Sequence, residues 1–276
     1  MGAVHAHCAV LGDPIAHSLS PVLHRAGYAA VGLDWEYDAV RVDEAGLGSF
    51  LTGLDPTWRG LSLTMPLKRR AMALAAGTTA RARLAGAANT LVLDDGVVVL
   101  ADNTDLPGAV AAVRERYAGP VTAGTVLGGG ATAASTGLAL CELGARTVTL
   151  MVRSPERAQE AVAAIARHPS GPRVEVRSLA GDPVSGEVVV STIPAAAQDA
   201  ELVACCVEAP VLFEVLYDPW PTPLAAAPRA GVLVGGLDLL VHQAALQFEL
   251  FTGVAAPLEA MRTAGLEALA QRGAVG

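Results

Sequence analysis

The sequence predicts an α/β protein of two units, the second built on a parallel sheet. Three observations carry this. After residue 105, short runs rich in β-branched residues alternate with longer helical runs, the pattern of consecutive βαβ units. One of these runs passes through a glycine cluster straight into a helical segment, over residues 124–133. Hydrophobic residues make up 52% of the 276 and aromatic residues 4%, so the apolar mass is Ala, Val and Leu. That composition suits close helix–sheet packing better than an aromatic-rich sandwich.

Taken in order, residues 3–11 are an apolar run ending in Gly12-Asp13-Pro14, a strand entering a loop. Ser20 suits the N-cap of a following helix and Pro21 its first position. Residues 35–42 alternate like a strand, residues 59–64 read as another, and Pro66 is expected to open a helix that carries Lys68. Residues 87–93 and 97–100 flank Asp94-Asp95-Gly96, a hairpin signal. No flexible linker marks the change near residue 105, so two domains joined by ordered structure are expected, with the active site in the cleft between them. Beyond it, the expected strands are 124–127, 147–152, 173–179, 187–193, 211–215 and 232–235. Apolar helical patterns follow over 239–252 and 257–270.

Charge and cysteine usage narrow the class. The net charge is −8, which argues against nucleic acid or an anionic membrane as the main partner. Cys8, Cys141, Cys205 and Cys206 show no C-x-x-C spacing, and adjacent cysteines are a poor structural disulfide, so reduced, cytoplasmic usage is expected. The N-terminus has no basic region followed by a long apolar one, and no apolar run reaches spanning length. His5 and His7 share one face of a strand, but with no further ligand nearby no metal is expected.

Lysine and arginine total 19, and lysine occurs once, at Lys68. Arginine supplies positive charge everywhere else. A lysine ammonium can donate and accept a proton, whereas arginine keeps its own. Lys68 is therefore either a catalytic group or the one survivor of an arginine-biased composition.

Gly128-Gly129-Gly130-Ala131-Thr132 joins a strand to a helix. Glycines there allow a tight turn and close approach of the backbone to pyrophosphate, while the helix N-terminus offers free N–H groups. Glycine clusters are also common loop formers, but the strand–turn–helix context favours dinucleotide binding. At the end of the next strand an NAD site usually places Asp or Glu for the ribose hydroxyls. This chain has Arg153, Ser154 and Arg157 there. Two guanidinium groups and a hydroxyl suit a 2′-phosphate, hence NADP; the alternative is ordinary helix-start charges with Ser154 as an N-cap.

Three polar clusters fall at loops and strand ends in the first 105 residues: residues 12–21, 62–68, and 86–90 followed by Asp102-Asn103-Thr104-Asp105. Their Ser, Thr and Asn groups suit a polyhydroxylated anionic small molecule, or else merely cap local turns.

Together these segments resemble the shikimate dehydrogenase family over essentially the whole chain. The opening signature is Pro14-Ile15-x-His17-Ser18-x-Ser20-Pro21-x-x-His24. Ser62-Leu63-Thr64-Met65-Pro66-Leu67-Lys68 matches Asn-Val-Thr-x-Pro-x-Lys, and Gly86-Ala87-Ala88-Asn89-Thr90 matches Gly-Ala-x-Asn-Thr. Asp102-Asn103-Thr104-Asp105, residues 217–224 and Gly236-Leu237-x-Leu239-Leu240-x-x-Gln243 complete the set. The resemblance implies an N-terminal α/β substrate-binding domain over 1–105, with 237–276 packing back on it, and a Rossmann-like NADP-binding domain over 106–236. It implies reversible NADPH-linked reduction of 3-dehydroshikimate to shikimate, an oxidoreductase acting on CH–OH in aromatic amino-acid and chorismate biosynthesis. Lys68 and Asp105 would be the catalytic pair. Ser18 and Ser20 would hold the substrate carboxylate, Thr64, Asn89, Asp105 and Gln243 its ring hydroxyls, and Tyr217 would close the site. Residues 128–132 would take the pyrophosphate. Ile193 and Val215, the last residues of two expected strands, join the cofactor set, with Gly236 and Leu239 near the nicotinamide.

The chain departs from the family pattern at Ser62, Arg25 and Val152, where asparagine is usual, and at Asp238-Leu239, where a pair commonly ends in methionine. Ser62 implies a shorter or water-bridged substrate contact, and Val152 removes a polar group from the adenine side. A buried Asp238 is costly and should face solvent or a partner. The alternatives are a quinate/shikimate or aminoshikimate dehydrogenase, a non-catalytic NADP-binding sensor, or a folate-type dehydrogenase. The sensor reading is weakened by Lys68 and Asp105, the folate reading by Ser18 and Ser20. A small molecule is the expected partner, and a homodimer remains open beside a monomer.

Overall fold

The computed structural model describes residues 5–273, so the first two residues of the earliest expected strand lie outside the described residues. The chain forms two compact units: Met1–Thr104 with Leu240–Gly276, and Asp105–Leu239.

The first unit is a mixed sheet. Its elements are β1 (Ala6–Gly12), α1 (Ser20–Val31), β2 (Trp35–Arg41), α2 (Leu47–Thr52), β3 (Trp58–Leu63), a 3₁₀ turn (Arg70–Ala73), β4 (Gly77–Thr78), α3 (Ala80–Ala85), β5 (Thr90–Asp94) and β6 (Val97–Asp102). The strand order is β2-β1-β3-β5-β6-β4. β2, β1 and β3 run parallel; β5 is antiparallel to β3 and to β6. The β5–β6 hairpin closes on Asp95 and Gly96, both at positive φ, which is what a two-residue turn of this twist requires. Leu11, Leu61, Leu63, Leu67 and Leu91 form the centre of a buried core on this sheet.

The second unit reads as expected. After α4 (Asp105–Arg116) come β7 (Ala123–Leu127), α5 (Ala131–Leu143), β8 (Thr147–Val152), α6 (Pro155–Ala166), β9 (Arg173–Ser178), β10 (Val188–Ser191), α7 (Ala200–Cys206), β11 (Val211–Glu214), α8 (Pro223–Ala226) and β12 (Val232–Val234). The sheet order is β12-β11-β10-β7-β8-β9, with every neighbouring pair parallel. The order reverses between β7 and β10, and in open parallel sheets ligands bind outside the C-terminal strand ends at such a switch. α9 (Gly236–Thr252) starts in this unit and continues into the first, followed by α10 (Leu258–Gly273), which packs on α1.

Two local expectations are corrected. Pro66 does not open an α-helix. Leu67 N–H donates to Thr64 C=O (2.9 Å), and the Lys68 carbonyl accepts from Ala88 N–H (2.7 Å). That carbonyl is therefore not used in a helical ladder, and Lys68 sits on a turn ahead of the short 3₁₀ segment. Ser20 is not the cap of α1. Leu19 occupies that position without a side-chain bond, and Ser20 lies inside the first turn, buried. Ser18 Oγ accepts from Ser20 N–H at 3.3 Å. Pro21 stands in the first turn, at its second position and not, as expected, its first.

Candidate active site

The C-terminal ends of β1 and β3 lie side by side. Thr64 N–H donates to Leu11 C=O (2.9 Å) and Asp13 N–H to Met65 C=O (2.9 Å). A Cβ added at Gly12 would stand 2.3 Å from Thr64 Cγ2, so the loop bearing Ser18 and the turn bearing Lys68 meet only because Gly12 has no side chain. The Lys68 carbonyl bond to Ala88 N–H then ties this turn to the residue before Asn89. Thus the only lysine in the sequence is anchored by its backbone next to Asn89.

Asn89 is buried in a hydrogen-bonded net. Its Oδ1 accepts from Thr104 N–H (2.8 Å) and from Thr90 Oγ1 (2.9 Å). Its Nδ2 donates to Thr104 Oγ1 (2.9 Å) and to Gln243 Oε1 (3.1 Å). Gln243 Nε2 donates to Leu240 C=O (3.0 Å). Buried amides and hydroxyls need this satisfaction, and together they fix one geometry. Two further residues were not legible as site residues. Gln247, one turn beyond Gln243 on α9, donates to Asn89 C=O (2.9 Å) and Thr90 Oγ1 (3.0 Å). Its Oε1 accepts from Ser62 Oγ (2.7 Å), and Ser62 Oγ accepts from Tyr37 Oη (2.5 Å). The i,i+4 spacing of Gln243 and Gln247 was the available signal. Tyr37 gave none, because a strand tyrosine facing inward looks like core.

Ser18, Ser20, Thr64, Lys68, Asn89 and Gln243 belong to the first unit, Asp105 and Tyr217 to the second. Asp105 opens α4 and is buried; Tyr217 lies beyond β11 and is partly buried. Asp102, in the motif that ends at Asp105, is a structural anchor. It accepts from Thr79 Oγ1 (2.6 Å), Arg81 Nε (2.7 Å), the Arg81 terminal nitrogen and Asn103 N–H (2.7 Å). Burial alone would raise its pKa, but Arg81, Thr79 and the Asn103 amide together hold it below the usual carboxylate value.

In the second unit, β7 ends at the switch point and turns into α5. Gly128 has φ 117°, a conformation that side chains avoid, and an added Cβ would stand 2.3 Å from Thr192 Oγ1 beyond β10. A Cβ at Gly129 would lie 2.7 Å from Ala158 Cβ on α6, so the turn packs directly on that helix. A Cβ at Gly130 meets nothing within 4 Å. The turn is thus closed underneath and open at the helix start, where the first N–H groups of α5, from Ala131 and Thr132 onward, have no helical acceptor. Those features fit a pyrophosphate. Ile193 is buried just beyond β10, with Val215 half-buried just beyond β11; Gly236 and Leu239 sit in the first turn of α9. Arg153 and Arg157 are exposed beside the start of α6. Ser154 occupies the N-cap position with no side-chain cap bond; its Oγ donates to Glu156 Oε2 (2.8 Å). To meet a phosphate the hydroxyl must turn away from that carboxylate.

The expectation that His7 has no further ligand group nearby is corrected. Parallel pairing sets His7 against Glu36, and His7 Nε2 lies 2.6 Å from Glu36 Oε2 and 3.6 Å from Asp38 Oδ2. Sequence spacing within β1 could not reveal partners from β2. The cluster is partly exposed and lies at the N-terminal end of the strand, away from Gly12.

A model described as the shikimate dehydrogenase substrate binding domain matches residues 10–91, and one described as the shikimate 5′-dehydrogenase C-terminal domain matches residues 236–264. A shikimate dehydrogenase (NADP(+)) of Methylobacterium radiotolerans is 38% identical, over 88% of this chain and 90% of its own. The chain belongs to the shikimate dehydrogenase family. The Mycobacterium tuberculosis shikimate dehydrogenase crystal structure superposes with a TM-score of 0.86 at 39% identity, covering 95% of this chain and 99% of that one. The Thermus thermophilus shikimate 5-dehydrogenase, solved with NADP(H) and shikimate, gives 0.78 at 27%, covering 95% and 99%.

Departures from the usual shikimate dehydrogenase residues have local explanations. Ser62 is nearly fully buried, and its hydroxyl is spent on Tyr37 and Gln247. Arg25 is exposed and pairs with Asp38 (2.9 Å). Val152 is buried and approaches the glycine turn from below. Asp238 has the partner it needs: Arg116 donates to both oxygens (2.8 and 3.0 Å), and Gly235 N–H donates to Oδ2 (2.9 Å).

Proposed function

We propose that this chain catalyses the reversible NADPH-dependent reduction of 3-dehydroshikimate to shikimate. The observation that carries the reading is the attachment of the Lys68 turn to the residue preceding Asn89, which sets the single lysine beside a buried net of amides and hydroxyls. The glycine turn after β7 fits the pyrophosphate of NADP, held at residues 128–132, with Arg153 and Arg157 as candidate partners of the 2′-phosphate. When bound, the cofactor supplies the hydride.

The protein's own groups then do the rest. Ser18 and Ser20 are assigned to the substrate carboxylate, and Thr64, Asn89, Asp105 and Gln243 to ring hydroxyls. Asn89 Nδ2 is engaged with Thr104 and Gln243, so a ring hydroxyl that accepts from it replaces one of those bonds. Reduction of a carbonyl builds negative charge on oxygen, which the Lys68 ammonium neutralises and protonates. Asp105 is the carboxylate partner in that proton transfer. Tyr217 closes the site, and Ile193, Val215, Gly236 and Leu239 are assigned to the cofactor. Four cysteines without a disulfide suit a reducing, cytoplasmic setting.

Initial rates of purified protein with shikimate or quinate, each with NADP⁺ or NAD⁺, test the reading. The highest kcat/KM is expected for shikimate with NADP⁺. Absence of turnover with that pair would overturn it.

A further inference from the structure

We infer that Tyr37 is a positioning residue of the substrate site, its phenol holding in place, through Ser62 and Gln247, the Asn89 amide assigned to a ring hydroxyl. This rests on the function proposed above.

Tyr37 lies in the middle of β2 and is fully buried. A phenol hydroxyl taken wholly out of water needs partners. Tyr37 Oη donates to Ser62 Oγ (2.5 Å). From Ser62 the chain continues to Gln247 Oε1 (2.7 Å), and from Gln247 Nε2 to Thr90 Oγ1 (3.0 Å) and Asn89 C=O (2.9 Å). Thr90 Oγ1 then donates to Asn89 Oδ1 (2.9 Å). An unbroken line of hydrogen bonds therefore runs from Tyr37 to Asn89, and each of its members is less than 5% exposed.

The direction of each bond is set. The Gln247 Nε2 protons go to Asn89 C=O and Thr90, so its Oε1 must accept, and Ser62 must donate to it. Ser62 in turn takes the phenol proton as acceptor. The phenol thus fixes the Ser62 hydroxyl, and through it Gln247 and Asn89. The ring itself is clamped. His24 stacks on it with centroids 4.2 Å apart and planes 10° from parallel. Burial drives the His24 pKa down to about 3, so this imidazole stays neutral and serves as packing for the phenol.

Tyr37→Phe keeps the ring and the His24 stack and deletes only the hydroxyl. The expected result is a KM for shikimate raised about tenfold, the scale of one hydrogen bond, with kcat lowered less than about threefold. KM for NADP⁺ should stay within about twofold of wild type. Ser62→Ala cuts the next link, and the Tyr37→Phe/Ser62→Ala protein should be no worse than Ser62→Ala by more than about twofold, because both act on one line. If Ser62→Ala fails to fold, Ser62→Thr, which keeps the hydroxyl, should hold KM for shikimate within about threefold of wild type. The inference is overturned if Tyr37→Phe leaves KM for shikimate within about twofold of wild type, if it lowers kcat and affinity for both substrates together, or if the two losses multiply. Wild-type protein inactive with shikimate and NADP⁺ would remove the functional reading and this one with it.

Discussion

At the scale of single residues, chemistry was legible where a residue type was unusual and hidden where it was ordinary. Lys68 stood out by number. Replacing it by Ala or Arg is expected to lower kcat by about 10²–10⁴-fold, the usual worth of a general acid, with KM changed much less; steady-state kinetics on both variants checks this. A Lys68→Ala protein with near-normal turnover would end its catalytic assignment. Arg153→Ala/Arg157→Ala should raise KM for NADP⁺ by about 10–100-fold while leaving KM for NAD⁺ nearly unchanged, since charge-assisted bonds to phosphate are lost and nothing else is touched. Asp102 shows the opposite case. In the sequence it was one polar letter in a motif; in the structure it is the buried acceptor of Arg81 and Thr79. Its folded pKa lies below the unfolded value of about 3.9, so its stabilising contribution is complete above that pH and disappears as pH falls through the folded value. Urea midpoints measured from pH 7 downward should fall below about pH 4 in the wild type, and part of that fall should be missing in Asp102→Asn. At pH 7 the variant should be less stable by about 1–3 kcal/mol, because the bonds to Arg81 and Thr79 are weakened.

At the scale of elements, periodicity and turn chemistry predicted what they govern, and long-range pairing decided the rest. The alternating strands of the second unit and the Asp-Gly hairpin were readable, because their signals are local. The helix expected from Pro66 was not there. A proline signal describes what the backbone permits, and the bond from Ala88 to the Lys68 carbonyl comes from twenty residues away. Gly60 teaches the same lesson. In sequence it is a glycine inside an apolar strand, but a Cβ there would lie 2.0 to 2.4 Å from the ring of Phe251 on α9, itself buried. Gly60→Ala should cost about 1–3 kcal/mol by forcing α9 off β3, visible as a lower urea midpoint with an unchanged slope. A neutral effect would mean that the ring has room to move.

At the scale of the whole molecule, the order of the chain and the order of its packing differ, and this has a consequence for folding. The second unit is continuous, from Asp105 to Leu239, and its parallel sheet is complete within those residues. The first is made of two pieces far apart in sequence. Its strands end at Asp102, yet Gly27 on α1 faces Phe248 and Met261, Gly60 on β3 faces Phe251, and Tyr28 lies 5.4 Å from the Phe248 ring. Without α9 and α10, a segment ending at Thr104 would expose that whole apolar layer, and Asn89 would lose Gln243 and Gln247. Burying apolar surface is the main term that opposes chain entropy, so such a segment has too little left to hold its sheet. A fragment of residues 105–239 should therefore fold alone, giving a cooperative urea transition and a dispersed amide spectrum. A fragment of residues 1–104 should be unfolded or aggregated, and adding residues 240–276 through a flexible linker should restore a cooperative transition. A cooperative fold from residues 1–104 alone would show that the sheet, and not the returning helices, supplies the stability of the unit.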